Sequence, residues 1–260
     1  MEQIKIALAG IGNLASSFVQ GLTYYSKNGT SQNDGESGLL HEVLAGMKAR
    51  NISIVAAFDI DERKVGKDLA DAIFAAPNVA RKVVDVKPLG VIVHRAETKD
   101  GVIPETKEYI HESNQDPVNV PQMLNASGAT ILICMTPSSA DKAAIFFAEA
   151  ALEAGIAFIN ATPTFIASDG EWGKRFKDAG IPLVGDDLQN QAGATIIHKL
   201  LLEVLSSRGI TINESYSLDV GGGVDSLNTL MRQKARQVKR DIKSEAVSRA
   251  IGQPNAEIVA

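Results

Sequence analysis

Ile4-Lys5-Ile6-Ala7-Leu8-Ala9-Gly10-Ile11-Gly12-Asn13-Leu14-Ala15 is the stretch on which the fold turns. Its first six residues are apolar except for Lys5 and have the run of a buried strand, and residues 13–25 have the spacing of an amphipathic helix. Between them Gly10 makes a tight turn, Gly12 lets the backbone approach a pyrophosphate, and the small Ala15 permits close contact of helix and strand. The helix N-terminus then offers unpaired N–H groups to phosphate. The plain alternative is a structural glycine turn in an ordinary α/β protein.

Downstream the same alternation continues. Residues 52–58 form a second apolar run ending at Asp59, followed by an expected helix over 62–74 and a short strand over 91–93. A polar loop over 26–37 and a short helix over 39–50 separate the first helix from the second strand. After a charged, aperiodic segment come a helix (120–127), a strand (129–135), an Ala-rich helix (140–154) stopped by Gly155, a strand (156–160), a helix (172–179) and a strand (181–184). Continuous apolar strands separated by helices predict a parallel sheet, because parallel neighbours need crossover connections. The expected fold is α/β, a Rossmann-like domain over 1–190, followed by an incomplete α+β catalytic and oligomerisation domain over 191–260. The latter has a helix over 194–207 and a half-buried strand over 211–220.

Composition narrows the function. The 260 residues carry a net charge of −5, which argues against a general nucleic-acid binder. The lone Cys134 allows no internal disulfide and fits a reducing, cytoplasmic setting, and no apolar run reaches the ~18 residues of a membrane span. His41, His94, His111 and His198 lack metal-ligand spacing. Between Met231 and Lys243 six cations stand against Asp241 alone, either a solvated helix face or a seat for an anionic small ligand. Lys239 and Lys243 are four apart, hence on one face of a helix.

Asp59 ends the second strand, where an acid accepts hydrogen bonds from an adenosine ribose and disfavours the extra phosphate of NADP. The same side chain can equally cap a following helix. Asp186 and Asp187 follow the last strand of the sheet, where parallel sheets place ligands, or one of them caps the next helix.

The segments ALAGIGNLASSFVQGLTYY (7–25), GLLHEV (38–43), VAAFDIDERKVGKDLADAIF (55–74), NATPTFIASDGEW (160–172), VGDDLQNQAGATIIHKLL (184–201) and VGGGVDSLNTL (220–230) occur in one order. On these the chain resembles the inositol-3-phosphate synthases (myo-inositol-phosphate synthases), particularly the shorter bacterial type. The resemblance implies NAD-dependent cyclisation of glucose 6-phosphate. A hydride leaves carbon 5, the ketone acidifies carbon 6, the enolate closes on carbon 1, and the hydride returns. It leaves a divalent cation open as a second cofactor and implies a homotetramer, with neither nucleic acid nor membrane as partner.

By the same resemblance Gly10, Gly12 and Asn13 fall on the pyrophosphate loop, and Asp68 on an acidic cofactor-contacting position. Ser127 and Phe147 fall on further cofactor-lining positions, though neither is the family's usual residue. Asp225 matches an acid of the cofactor and catalytic site. Lys239 and Lys243 match paired lysines facing sugar and phosphate, the former also near the cofactor, and Asp186, expected to be catalytic, matches an acid of the pattern GDDxKSQ.

The chain departs from the family at Gln189, at Asn190 (kept here as a cofactor-lining position) and at Gly223. Two other functions therefore stay open: an NAD-dependent dehydrogenase of a phosphorylated sugar or hydroxy acid, and a catalytically silent NAD-binding module. Because the chain stops at Ala260, inside the family's second domain, it is expected to be a fragment and to self-associate.

Overall fold

Alternate residues of β1 (Ile4–Ala9) enter opposite layers. Ile6 and Leu8 join a buried cluster with Ile11, Ala15, Val19 and Ile73. Ala7 and Ala9 join another with Phe58, Phe147, Phe158 and Phe176. Both faces are covered, so the strand needs no polar side. Alanine on the second face makes room for rings: Phe147 lies 6.2 Å from Phe58 and Phe158 lies 6.2 Å from Phe176, centroid to centroid. The computed structural model describes residues 3–28, 38–188, 193–217 and 220–252, except the side chains of residues 27, 28, 194, 235, 239 and 242.

β2 (Ile52–Asp59), β3 (Val93–Arg95), β4 (Ile131–Cys134), β5 (Ala157–Asn160) and β6 (Leu183–Val184) complete a six-stranded sheet in the order β3-β2-β1-β4-β5-β6. All neighbours are parallel. The Rossmann-like sheet expected from the sequence is present, and its strand order reverses between β1 and β4, where such sheets open a ligand crevice at the strands' carboxyl ends. The helices of this part are α1 (Asn13–Asn28), α2 (Leu69–Ala72), α3 (Val120–Ser127), α4 (Asp141–Ala154) and α5 (Gly170–Asp178). Their ends are built locally where the sequence allows: Asn119 caps α3 and Asp169 caps α5 through their side chains. Ala140 cannot cap α4, and Asp100 supplies the acceptor instead, taking the N–H groups of Lys142 and Ala143 at 3.0 Å each.

Four expected elements differ. The helix over 39–50 is absent: Ala45 (φ 50) and Gly46 (φ 78) turn the chain back, Leu44 and Met47 exchange two backbone hydrogen bonds, and only a 3₁₀ turn at Ala49–Asn51 remains. The helix over 62–74 shrinks to α2, because Gly66 takes φ 81 and Asp68 starts a new helix as its cap. The strand over 91–93 is shifted to Val93–Arg95. Residues 211–217 form no strand, while 218 and 219 lie outside the described residues. Tyr216 there is 88% exposed, and alternation without a neighbouring strand to pair with does not make a sheet.

The chain divides into two compact units, Met1–Asp187 and Leu188–Ala260. Among the described residues the second unit is helical, not α+β: α6 (Ala194–Ser207), α7 (Val224–Met231) and α8 (Gln233–Ile251). α8 packs on both α6 and α7, with Leu202 of α6 and Val247 of α8 buried. No helix among the described residues is long and apolar enough to cross a membrane.

Candidate functional site

Gly10 leaves β1 at φ 89, and a Cβ there would stand 2.7 Å from the carbonyl oxygen of Met135. The turn is pressed against the end of β4, so only glycine fits. Gly12 differs: a Cβ on it would meet nothing within 4 Å, which leaves open space before the first turn of α1. That helix begins with Ser16 N–H donating to Gly12 O at 2.9 Å, so its earlier N–H groups have no intrahelical acceptor. Its first turn contains no acid. Open space, free donors and the positive end of a helix dipole together fit the pyrophosphate of a dinucleotide.

Asp59 stands beside this turn at the end of β2. Its Oδ2 accepts the Ile11 N–H at 2.7 Å, and its Oδ1 accepts those of Ile60 and Asp61 at 2.7 and 2.9 Å. The side chain is 10% exposed, with the ammonium of Lys64 3.8 Å from Oδ2. Asn13 belongs to the same place but turns its side chain aside, its Oδ1 accepting the N–H groups of Val79 and Ala80 at 2.7 and 2.9 Å. Gly10, Gly12, Asn13 and Asp59 are thus brought together.

The remaining candidates stand apart. Asp68 caps α2 and also accepts from Leu89 and Gly90 at 3.1 and 2.7 Å. Burial works against its charge, but backbone donors from Ala70, Leu89, Gly90 and Val91 outweigh this and hold its carboxyl below the usual range. Ser127 ends α3, which leads into the amino end of β4; its Oγ donates to Leu124 O at 2.8 Å. It therefore sits at the edge of the sheet opposite the glycine turn. Phe147 is 5% exposed within the core.

Asp186 is at the carboxyl edge, and its carboxylate is filled by four donors. Asn160 Nδ2 and Ala167 N–H reach Oδ1 at 2.7 and 2.9 Å, and the N–H groups of Ile166 and Ser168 reach Oδ2 at 2.9 and 3.0 Å. It clips the loop after β5 to the end of β6. In the second unit Asp225 is exposed in the first turn of α7, and Lys243 is half-buried on α8. The backbone of Lys239 lies in α8, but its side chain and all of Asn190 lie outside the described residues. Among the described residues no group of three or more His, Cys, Asp or Glu is arranged to hold a metal ion. Burial raises the Cys134 thiol, which fits a core residue.

Sequence reasoning missed Lys64 and Asn78, which meet behind the turn: Asn78 Nδ2 donates to Ile11 O at 3.0 Å and Lys64 Nζ to Asn78 Oδ1 at 3.1 Å. A lysine on a turn and an asparagine after a proline have no periodic signal.

Over 246 residues the chain is 42% identical to the inositol-3-phosphate synthase of Mycolicibacterium smegmatis, covering 95% of this chain and 67% of that one. The chain belongs to the inositol-3-phosphate synthase family. The family's synthase from Corynebacterium glutamicum is also 42% identical, over 94% of this chain and 67% of its own length. The family model for myo-inositol-1-phosphate synthase matches residues 193–259. Among solved structures, that of Ari2 matches all of this chain and 71% of its own, at 32% identity and a TM-score of 0.80. The chain spans about two thirds of the length of these synthase relatives.

Proposed function

We propose that this chain binds NAD at the Gly10–Gly12 turn and serves the cyclising isomerisation of glucose 6-phosphate to inositol 3-phosphate. The observation that carries the NAD reading is the open space at Gly12 beside the acid-free N-terminus of α1, and kinship with the synthases supports the cyclisation. The Gly12 N–H and the first N–H groups of α1 hold the pyrophosphate, and Asp59 lies beside the adenosine ribose. NAD, when bound, supplies a hydride acceptor that later returns what it took, so no net redox change results. Lys239 and Lys243, one turn apart on α8, hold the sugar phosphate and stabilise the oxyanion that develops as the proton beside the ketone leaves. Asp225 assists in the same half. With both carboxylate oxygens engaged, Asp186 fixes the loop of residues 164–168 rather than moving a proton itself.

Product analysis tests the reading. With glucose 6-phosphate and NAD, the chain is expected to form inositol phosphate, seen by phosphorus NMR, without accumulation of reduced nicotinamide. Reduced nicotinamide rising in step with substrate loss points instead to a dehydrogenase. No product, with NAD bound, supports a silent binding module.

A further inference from the structure

Ile11 is held through both of its backbone polar groups, one in each of two successive peptides. Its N–H donates to Asp59 Oδ2 at 2.7 Å and its carbonyl accepts from Asn78 Nδ2 at 3.0 Å. Behind it the Lys64 ammonium closes a ring, donating to Asn78 Oδ1 at 3.1 Å and standing 3.8 Å from Asp59 Oδ2. The Lys64 side chain is 6% exposed.

A buried lysine here does two things. It balances the charge of the largely covered Asp59 carboxylate, which would otherwise be costly. It also reinforces the way the Asn78 amide faces. An ammonium only donates, so it must meet the amide oxygen, which leaves the amide NH₂ facing the Ile11 carbonyl. The same Nδ2 also donates to the Ile73 carbonyl at 3.0 Å, so the ammonium and two carbonyls together hold the amide against turning over.

The orientation of that carbonyl matters because of the bond that follows. Among the described residues the cis peptide bonds are Ala76-Pro77 and Gly185-Asp186, so Ile11–Gly12 is trans. In a planar trans peptide C=O and N–H point to opposite sides. Holding the Ile11 carbonyl toward Asn78 therefore directs the Gly12 N–H away from it.

From this we infer that Lys64 and Asn78 are positioning residues for the dinucleotide. They touch no part of it, but they aim the Gly12 N–H at the pyrophosphate through the Ile11 carbonyl. The inference rests on the NAD reading above.

Calorimetric titration of the whole chain with NAD, ADP-ribose and adenosine tests it, together with thermal melts without ligand. Asn78→Ala, at a half-buried position, is expected to weaken NAD and ADP-ribose about tenfold, the size of one well-placed hydrogen bond, while adenosine binds as before. Lys64→Met is expected to weaken NAD measurably but less than Asn78→Ala, because the Ile11 and Ile73 carbonyls still hold the amide. The double variant should be no weaker than the weaker single one, because both act through one peptide. If Lys64→Met does not fold, Asn78→Ala carries the test alone. Equal loss for adenosine and NAD would make the pair merely structural and overturn the inference, as would unchanged NAD affinity in folded variants. A wild-type chain that binds no NAD overturns the cofactor reading itself, and this inference with it.

Discussion

Gly10 and Gly12 are two residues apart and differ in what their missing side chains do. At Gly10 a methyl group would meet the Met135 carbonyl at a φ of 89, so Gly10→Ala is expected to destabilise the fold by about 3 kcal/mol or more. At Gly12 a methyl group meets nothing, so Gly12→Ala should leave stability within about 0.5 kcal/mol of wild type. It should nevertheless weaken NAD binding about tenfold, because the methyl occupies the space the pyrophosphate needs. Urea denaturation and NAD titration of both variants separate the two roles. A Gly12→Ala protein that binds NAD as well as wild type contradicts the assignment of that space.

At the scale of the element, two acidic clips decide where loops lie. Asp186→Ala leaves the N–H groups of Ile166, Ala167 and Ser168 and the Asn160 amide without their acceptor. The expected loss is about 2–3 kcal/mol by urea denaturation, and a neutral result would show that the loop re-pairs with solvent. Asp68 links α2 to the Leu89–Gly90 turn, and its folded carboxyl titrates below its unfolded one. Between those two values the unfolded chain binds more protons, so stability rises with pH. The contribution is fully present above about pH 4 and is lost as pH falls through the lowered folded value. Asp68→Asn should therefore be less stable at neutral pH but lose less on acidification from pH 5 to 3, as urea midpoints along that series will show.

The same scale explains what was legible in the sequence. α3 could be read to the residue because Asn119, Pro121 and Gly128 mark its ends. β1, the glycine turn and α1 could be read from period and punctuation together. The shortening of the 62–74 helix to α2 was hidden, because a glycine inside a helical pattern does not announce a positive φ. The four donors on Asp186 and the ring through Lys64 and Asn78 were hidden for another reason. They join residues far apart in sequence, where spacing carries no information.

At the scale of the whole molecule, α6 carries an exposed apolar stripe. Ile197, Leu200, Leu201 and Val204 follow the i, i+3, i+4, i+7 rule and are 67%, 52%, 56% and 58% exposed. An apolar stripe of this kind drives association. Light scattering at tens of micromolar should give a mass above the monomer's 27.6 kDa, and Leu201→Glu combined with Val204→Glu should lower it. A monodisperse wild-type monomer contradicts that expectation.

NAD is proposed to lie in the crevice where the strand order reverses, and a crystal structure of the chain grown with NAD is the decisive test. The predicted result is a pyrophosphate within hydrogen-bonding distance of the Gly12 and Asn13 N–H groups, with the adenosine ribose beside Asp59. A dinucleotide lying anywhere else, such as the opposite sheet edge near Ser127, or none in the crystal at saturating NAD, would contradict it.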